Sequence, residues 1–114
     1  MLISTKEFKV LEYITADGKS PYAQWFMDLD PNAAAKISSA LVRLMRGNIS
    51  NVKWFKGIGE YKIDFGPGYR IYLAIAGKEL IILLGGGTKK NQQKDIDRAL
   101  SLFNDYKKRK KFEK

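Results

Sequence analysis

The spacing of apolar residues divides the first fifty positions into one strand and two helices. Residues 8–15, FKVLEYIT, alternate imperfectly between apolar and polar side chains, which predicts a β-strand. Ser20 and Asp30 each stand directly before a proline, and a capping residue followed by proline is a common start of a helix. Apolar residues then recur three and four positions apart, until the second pattern stops at Gly47. We therefore expect a helical hairpin after the first strand.

The pattern changes to strands and glycines after residue 51. Four apolar or alternating segments follow, separated by glycine-containing connections: VKWF, EYKIDF, YRIYLAIA and ELIILL. Their spacing is typical of an antiparallel meander. GGGTKKN predicts a loop, and a last helix follows from about Gln92 to Lys108, with acids in its first turn and bases in its last. This order predicts an α+β fold, in which an N-terminal helical hairpin and a C-terminal helix pack on one face of a small antiparallel sheet.

The composition is that of one soluble domain. The chain has 114 residues, of which 45% are apolar and 29% charged, enough for one core but not for two. Apolar runs stay shorter than the roughly 18 residues of a membrane span, and Lys6 and Glu7 stand where a signal peptide would be apolar. We expect a cytoplasmic protein with no membrane partner. Cysteine and histidine are both absent, which excludes disulfides and thiolate–metal sites, so we expect no metal and no cofactor.

More than half of the net positive charge lies in the last eight residues. The net charge is +9, and residues 107–114, KKRKKFEK, contribute six basic residues and one acid, or +5. The remaining +4 belongs to residues 1–106, which we interpret as a single domain followed by a basic tail. A basic tail alone is often only a solvated helix end. Because residues 1–106 are also basic, the charge favours a polyanionic partner, nucleic acid above all.

The second hairpin of the meander, EYKIDF-GPG-YRIYLA, places charged residues on an apolar pair of strands. A three-residue connection predicts that Asp64 faces Arg70 and that Lys62 faces Tyr72. Strand alternation then puts these four side chains and Glu60 on one face of the sheet. Lys62 and Arg70 are diagonal neighbours in this pairing, about 7–8 Å apart, and two such cations can hold one phosphate. The other interpretation is an exposed Asp64–Arg70 ion pair worth about 0–1 kcal/mol.

The glycine-rich segment GGGTKKNQQ follows the apolar strand. Glycines allow backbone N–H groups to approach a ligand closely, and Lys89 and Lys90 add positive charge. The spacing of a Walker A loop is absent. The same residues also fit a flexible loop before a helix, so the segment predicts little by itself.

Taken together, these motifs resemble the RelE/HigB group of bacterial toxins of type II toxin–antitoxin modules. The similarity lies in the branch of phage-derived addiction-module killer proteins, within the RelE/ParE superfamily. It rests on GPGYRIYL, on LLGGGTKKNQQKDIDRA and on the triplet Glu60-Tyr61-Lys62, and it covers about residues 8–106. The branch usually has arginine in place of Lys62, and commonly an acid in place of Thr88. HigB-like relatives often use histidine, so this chain is more similar to a RelE-like arrangement of lysines and arginines.

The resemblance implies a compact fold like that of the microbial ribonucleases, and a ribosome-dependent endoribonuclease, or mRNA interferase, that inhibits translation. It also implies a small antitoxin, typically a helix-turn-helix protein, through which operator DNA would be bound. The RNA's own 2′-OH would attack the phosphodiester without a metal. In this reaction Arg70 would hold the phosphate, and Lys62 would be the base, with Glu60 as an alternative base or as the partner that orients Lys62. Lys89 or Lys90 would assist the leaving oxygen or hold the backbone, and Tyr72 would position a base or the 2′-OH.

Further residues are predicted to bind mRNA or ribosomal RNA. They are polar or basic and lie in the loop, the last helix and the tail: Lys90, Gln92, Gln93, Lys107, Lys108 and Arg109. Two other functions stay open. ParE-like proteins share the implied fold but inhibit DNA gyrase, and a basic domain can also be a nucleic-acid-binding module without enzymatic activity.

Overall fold

The computed structural model describes residues 7–112. Lys6, on which part of the signal-peptide argument depends, and the last two residues of the basic tail lie outside this range. The described residues form five strands, three α-helices and one 3₁₀ turn, in this order: β1 Lys9–Glu12, α1 Pro21–Met27, α2 Pro31–Met45, β2 Val52–Phe55, β3 Ile58–Ile63, β4 Tyr69–Ala76, β5 Leu80–Thr88, the 3₁₀ turn Lys89–Asn91 and α3 Gln92–Phe112.

Both predicted helix starts are confirmed, and local chemistry accounts for them. The Ser20 hydroxyl accepts a hydrogen bond from the Ala23 amide at 3.0 Å, and the Asp30 carboxylate accepts one from the Ala33 amide at 2.9 Å. Each cap satisfies an amide that the first helical turn would otherwise leave unpaired. Helix α2 ends at Met45, and Gly47 follows with a φ of +90°, the left-handed conformation that favours glycine after a helix.

The α+β fold class is confirmed, and the sheet is mixed. Its strand order is β1-β5-β4-β3-β2, and β2 to β5 form the predicted antiparallel meander. Strand β1, however, pairs with β5 in parallel, from Lys9 opposite Leu80 to Glu12 opposite Leu83. The expectation of a purely antiparallel sheet is therefore wrong at this edge. Parallel neighbours need a long crossover, and the helices and strands between β1 and β5 provide it.

The helices lie on both faces of the sheet, so the prediction of a single helical face is wrong. Helices α1 and α2 pack on the face that contains Ile71, and Ile37 of α2 is fully buried there. Helix α3 packs on the opposite face, where Ala99 meets Tyr72 and Ala74. The central strands β4 and β5 are consequently buried on both sides, as their nearly continuous apolar sequences favour.

The segment predicted as a glycine-rich loop is mostly strand. Residues 85–88 continue β5, and only Lys89–Asn91 leave it, as a 3₁₀ turn. Gly86 lies directly against the indole of Trp25, and Gly87 against the carboxylate of Asp95, so a side chain at either position would collide with its neighbour. These glycines serve close packing of the two helices rather than loop flexibility.

Helix α3 is longer than predicted and includes the basic residues after Lys108. It continues to Phe112, so residues 107–112 form its last turns. Arg109 donates hydrogen bonds to the Tyr13 hydroxyl and to the Ile14 carbonyl, and Tyr13 also donates to Asp105. The end of α3 is thus attached to the segment that follows β1. Across residues 7–112, every helix is too short or too polar to pass through a lipid bilayer.

Candidate functional site

The pairing of β3 with β4 differs from the predicted one by two residues. Ile63 pairs with Tyr69, so that Lys62 directly faces Arg70 and Glu60 faces Tyr72. The connection has five residues instead of three, because it closes through a hydrogen bond from the Gly68 amide to the Phe65 carbonyl. A shift of two leaves every side chain on its predicted face. The specific pairs were nevertheless predicted wrongly.

Asp64 is the residue most affected by this change. It is exposed, lies outside the strand ladder and is not opposite Arg70. The predicted Asp64–Arg70 ion pair is therefore wrong. Arg70 is instead only 4% exposed and Glu60 only 6%, because the start of α3 covers this end of the sheet.

Glu60 is the centre of a buried polar network. Its Oε2 atom accepts a hydrogen bond from the Tyr72 hydroxyl at 3.2 Å and one from Nε2 of Gln92 at 2.7 Å. The same oxygen lies 3.5 Å from Nε of Arg70, which makes a buried ion pair. Burial, together with the nearby Glu60 charge, raises the pKa of Tyr72, so its phenol stays protonated and donates.

The guanidinium of Arg70 connects this network to the loop before β4 and to the end of β5. Its NH1 atom donates to the Gly68 carbonyl at 2.7 Å, and the same carbonyl accepts the Lys89 amide at 3.0 Å. Nε of Arg70 has no hydrogen-bond partner among the described residues. The predicted catalytic cations Lys62, Arg70 and Lys89 therefore meet at one end of the sheet. We call these three residues the cationic cluster; its two lysines are exposed.

Asp95 is a functional candidate for which the sequence pattern predicted only an interaction with the helix dipole. It lies against Gly87, which is the β5 neighbour of Arg70. Burial raises the pKa of its carboxyl, while Lys94 and Arg98 act in the opposite direction. Its position in the motif QQKDIDRA was visible in the sequence, but its burial depends on the missing side chain at Gly87.

Two clefts flank the buried network. A cleft of about 230 Å³ lies between α1 and α3 and is lined by Trp25, Tyr72, Asp95 and Arg98, among others. A larger one of about 470 Å³ lies between β2, β3 and α3. We call this larger cavity the β2–α3 cleft. Its lining combines polar and charged side chains with apolar ones: Lys53, Phe55, Lys56, Glu60, Gln92, Gln93, Ile96, Asp97 and Leu100.

The sequence of this chain is similar to that of a protein from Haemophilus influenzae. No model of a protein family matches the sequence. An uncharacterized protein of Haemophilus influenzae is 47% identical over 68 residues, which are 59% of this chain and 69% of that protein. The chain belongs to that protein's family. Since the Haemophilus influenzae relative is uncharacterized, the family relationship brings no activity with it.

The predicted RNA-binding residues lie in two places, at the start of α3 and at its other end. Gln92 is part of the buried network, whereas Gln93 is exposed and donates to Asp97, and Lys90 is exposed in the 3₁₀ turn. The basic residues 107–109 lie at the other end of α3. They are fifteen or more positions beyond Gln92, or roughly 22 Å along the helix axis, and so do not join the cationic cluster.

Lys53 and Lys56 line the larger cleft, although neither was predicted as a site residue. The only sequence signal for them is the alternation of VKWF, which puts Lys53 on the same face as Glu60. In the described part of the chain, no three acidic side chains are grouped closely enough to hold a metal ion.

Proposed function

We propose that this protein is a RelE/HigB-like toxin of a type II toxin–antitoxin module, an endoribonuclease that cuts mRNA on the ribosome and so inhibits translation. The observation that supports this function best is the convergence of Lys62, Arg70 and Lys89 at one end of the sheet. Three cationic residues at neighbouring backbone positions support a site for a phosphodiester, which is the group that such an enzyme must hold.

The geometry of the cationic cluster suits a phosphate that approaches from solvent. Lys62 and Arg70 are directly opposite across the β3–β4 ladder, where Cβ atoms are about 4.5–5.5 Å apart. Lys89 follows at the end of β5, beside the carbonyl that Arg70 holds. The lysines are exposed and can contact the phosphate directly. Arg70 is buried and ion-paired with Glu60, so only the part of its charge that Glu60 leaves unbalanced acts on a phosphate in this proposal.

The reaction needs one base and one acid. The ribose 2′-oxygen attacks the adjacent phosphorus, loses its proton to the base, and forms a 2′,3′-cyclic phosphate. The bond to the 5′-oxygen breaks, and this oxygen takes a proton from the acid. In our proposal Lys62 accepts the first proton as a neutral amine and Lys89 provides the second as an ammonium, while Arg70 stabilises the extra negative charge in the transition state.

Glu60 and Tyr72 have supporting roles in this proposal. The Glu60 oxygen nearest Arg70 already accepts two hydrogen bonds, and the residue is 6% exposed, so it is poorly placed to accept a proton from RNA. We assign it as a positioning residue that orients Arg70, and Tyr72 as the residue that fixes Glu60. The proposal includes a cytoplasmic location, a small helix-turn-helix antitoxin as partner, and contact with operator DNA only through that antitoxin.

The test is controlled expression without an antitoxin, followed by mapping of RNA 5′ ends. We expect growth arrest, an early loss of translation, and new mRNA ends bearing 5′-OH groups in register with the reading frame. Lys62→Ala and Lys89→Ala remove exposed side chains, so both proteins should fold but lose this activity. Lys78→Ala, which removes an exposed lysine between β4 and β5, is the matched control and should stay toxic.

Other outcomes would identify the other functions. An early loss of thymidine incorporation without new RNA ends would support a ParE-like inhibitor of DNA gyrase. If neither translation nor replication fell, a nucleic-acid-binding module without enzymatic activity would explain the protein better.

A further inference from the structure

We infer that the β2–α3 cleft binds the nucleotide next to the cleaved phosphodiester in single-stranded RNA. This inference rests on the proposed function, which uses the cationic cluster and leaves the cleft without a role. The cleft volume of about 470 Å³ falls within the range of small-ligand sites, roughly 300–1,000 Å³.

The cleft begins at the proposed reaction centre. Glu60 and Gln92 form its inner end, and Glu60 is the residue that pairs with Arg70. From there it follows β2 towards the β2–β3 turn, with Lys53 in the strand and Lys56 in the turn that follows it. RNA bound at the cationic cluster can therefore extend directly into the cleft.

The charges that line the cleft favour a phosphate backbone. Lys53 and Lys56 are exposed at its border. Of the two acids in the lining, Glu60 is paired with Arg70, whereas the hydrogen bond that Asp97 accepts from the neutral Gln93 amide does not cancel its charge. The two exposed lysines outnumber this one unpaired acid and can attract an anionic chain, and the attraction falls with salt.

The inner surface of the cleft can hold a base. Phe55 is half-buried and presents an aromatic ring, and Ile96 and Leu100 add apolar surface on the α3 side. Bases stack on such surfaces without requiring a particular sequence. Gln92 uses its amide nitrogen to bond Glu60, which leaves its carbonyl oxygen as an acceptor for the edge of a base. One aromatic face and one fixed amide are the two elements of single-strand RNA recognition.

The backbone at Lys56 points to the same function. Lys56 has a φ of +53° and is followed by Gly57 at +89°, the two left-handed residues of a type I′ hairpin turn. Asparagine, aspartate and glycine are favoured at the first of these positions, and lysine is not. A lysine kept in an unfavourable conformation at the border of a cleft indicates that its charge has a use there.

The test compares RNA binding with stability in the full-length protein. The probe is a fluorescent single-stranded RNA oligonucleotide that carries a 2′-deoxy sugar at the cut position, so that it binds without being cleaved. The double variant Lys53→Gln/Lys56→Asn should bind it at least about tenfold more weakly. Its slope of log affinity against log salt should fall by about 1.4, which is about 0.7 for each lost phosphate contact. Lys78→Asn is the control and should bind like the wild type.

Lys56→Asn separates a binding role from a structural one. Asparagine suits the left-handed turn, so this variant should unfold at the same or a higher urea concentration while binding RNA more weakly. Wild-type affinity and salt slope in the double variant would overturn the inference. A loss of affinity in Lys78→Asn as large as in the double variant would do the same.

Parallel cleavage assays in a translating extract distinguish a failure of this inference from a failure of the proposed function. Weaker binding by the cleft variants, with no RNA cut by the wild type, supports the cleft and contradicts the nuclease. Cutting by the wild type, with unchanged binding by the cleft variants, supports the nuclease and contradicts the cleft. If the wild type binds no RNA at all, the cleft inference is wrong whatever the extract shows.

Discussion

Removal of the Glu60 carboxylate should destabilise the protein severely. In Glu60→Ala, Arg70 keeps its charge at 4% exposure but loses the only carboxylate paired with it in the described structure. The Tyr72 hydroxyl and the Gln92 amide lose their acceptor in the same step. An arginine in this position has no low-energy way to become neutral, so the charge stays buried.

The magnitude follows from the burial of both partners. Breaking a buried ion pair by removing one partner costs about 3–5 kcal/mol, and each donor left without an acceptor costs about 1–3 kcal/mol when water cannot reach it. Clefts on both sides of the network admit some water, and the contributions are not additive, so we expect a total of about 3–5 kcal/mol. A domain of this size has roughly 5–15 kcal/mol of stability, which leaves the variant folded but marginal.

Urea unfolding, followed by the fluorescence of Trp25 and Trp54, measures this loss. Asp64→Ala is the matched control, because the predicted pairing placed Asp64 opposite Arg70, whereas Asp64 is exposed in the structure. This substitution should change the free energy of unfolding by no more than about 0.5 kcal/mol. Adding Arg70→Met to Glu60→Ala removes the uncompensated charge and should recover about 1–3 kcal/mol. Equal stability of the Glu60→Ala and Asp64→Ala proteins would show that the Glu60 carboxylate does not stabilise the buried Arg70 charge.

Three further predictions concern the elements around the network. Gly86→Ala adds a methyl group within the space of the Trp25 ring and should cost about 1–3 kcal/mol in urea unfolding; an unchanged midpoint would contradict this packing. The pKa of the Asp95 carboxyl is raised in the folded protein. As the pH rises, the unfolded chain therefore loses the carboxyl proton before the folded protein does, and the free energy of unfolding falls. The free energy of unfolding of Asp95→Asn should therefore improve relative to wild type from about pH 3 to about pH 6, whereas a constant difference would exclude the linkage. Arg109→Ala removes the hydrogen bonds from Arg109 to the segment after β1, which are worth about 0.5–1.5 kcal/mol each. Amide hydrogen exchange in the last turns of α3 should therefore accelerate about tenfold. Equal exchange rates in the variant and the wild type would show that this attachment does not hold the helix.

Local signals in the sequence were sufficient for most of the elements. The caps at Ser20 and Asp30 act within three residues of their own positions, so the helix starts could be predicted without tertiary information. The bounds of β2 and β4 match the segments VKWF and YRIYLAIA. Even the polar face of the hairpin was predicted, because strand alternation does not depend on the partner strand.

Features that depend on distant parts of the chain could not be predicted in this way. The partner of Arg70 changed from Asp64 to Glu60 because the hairpin connection has five residues, and glycine and proline permit either turn length. The parallel pairing of β1 depends on which edge of the sheet is free after the meander forms. The second helical layer was missed because Tyr72 was interpreted as part of a solvated polar face.

The attachment of the first segment to the last helix limits how early the fold can be completed. Tyr13 bonds Asp105, which follows it by 92 residues. At a synthesis rate of about 5–20 residues per second, roughly 5–18 s separate the addition of these two residues. During this interval the segment of β1 also waits for β5, its neighbour in the sheet. The nascent chain therefore carries an unpaired first strand until β5, which begins 71 residues after β1 begins, has been made.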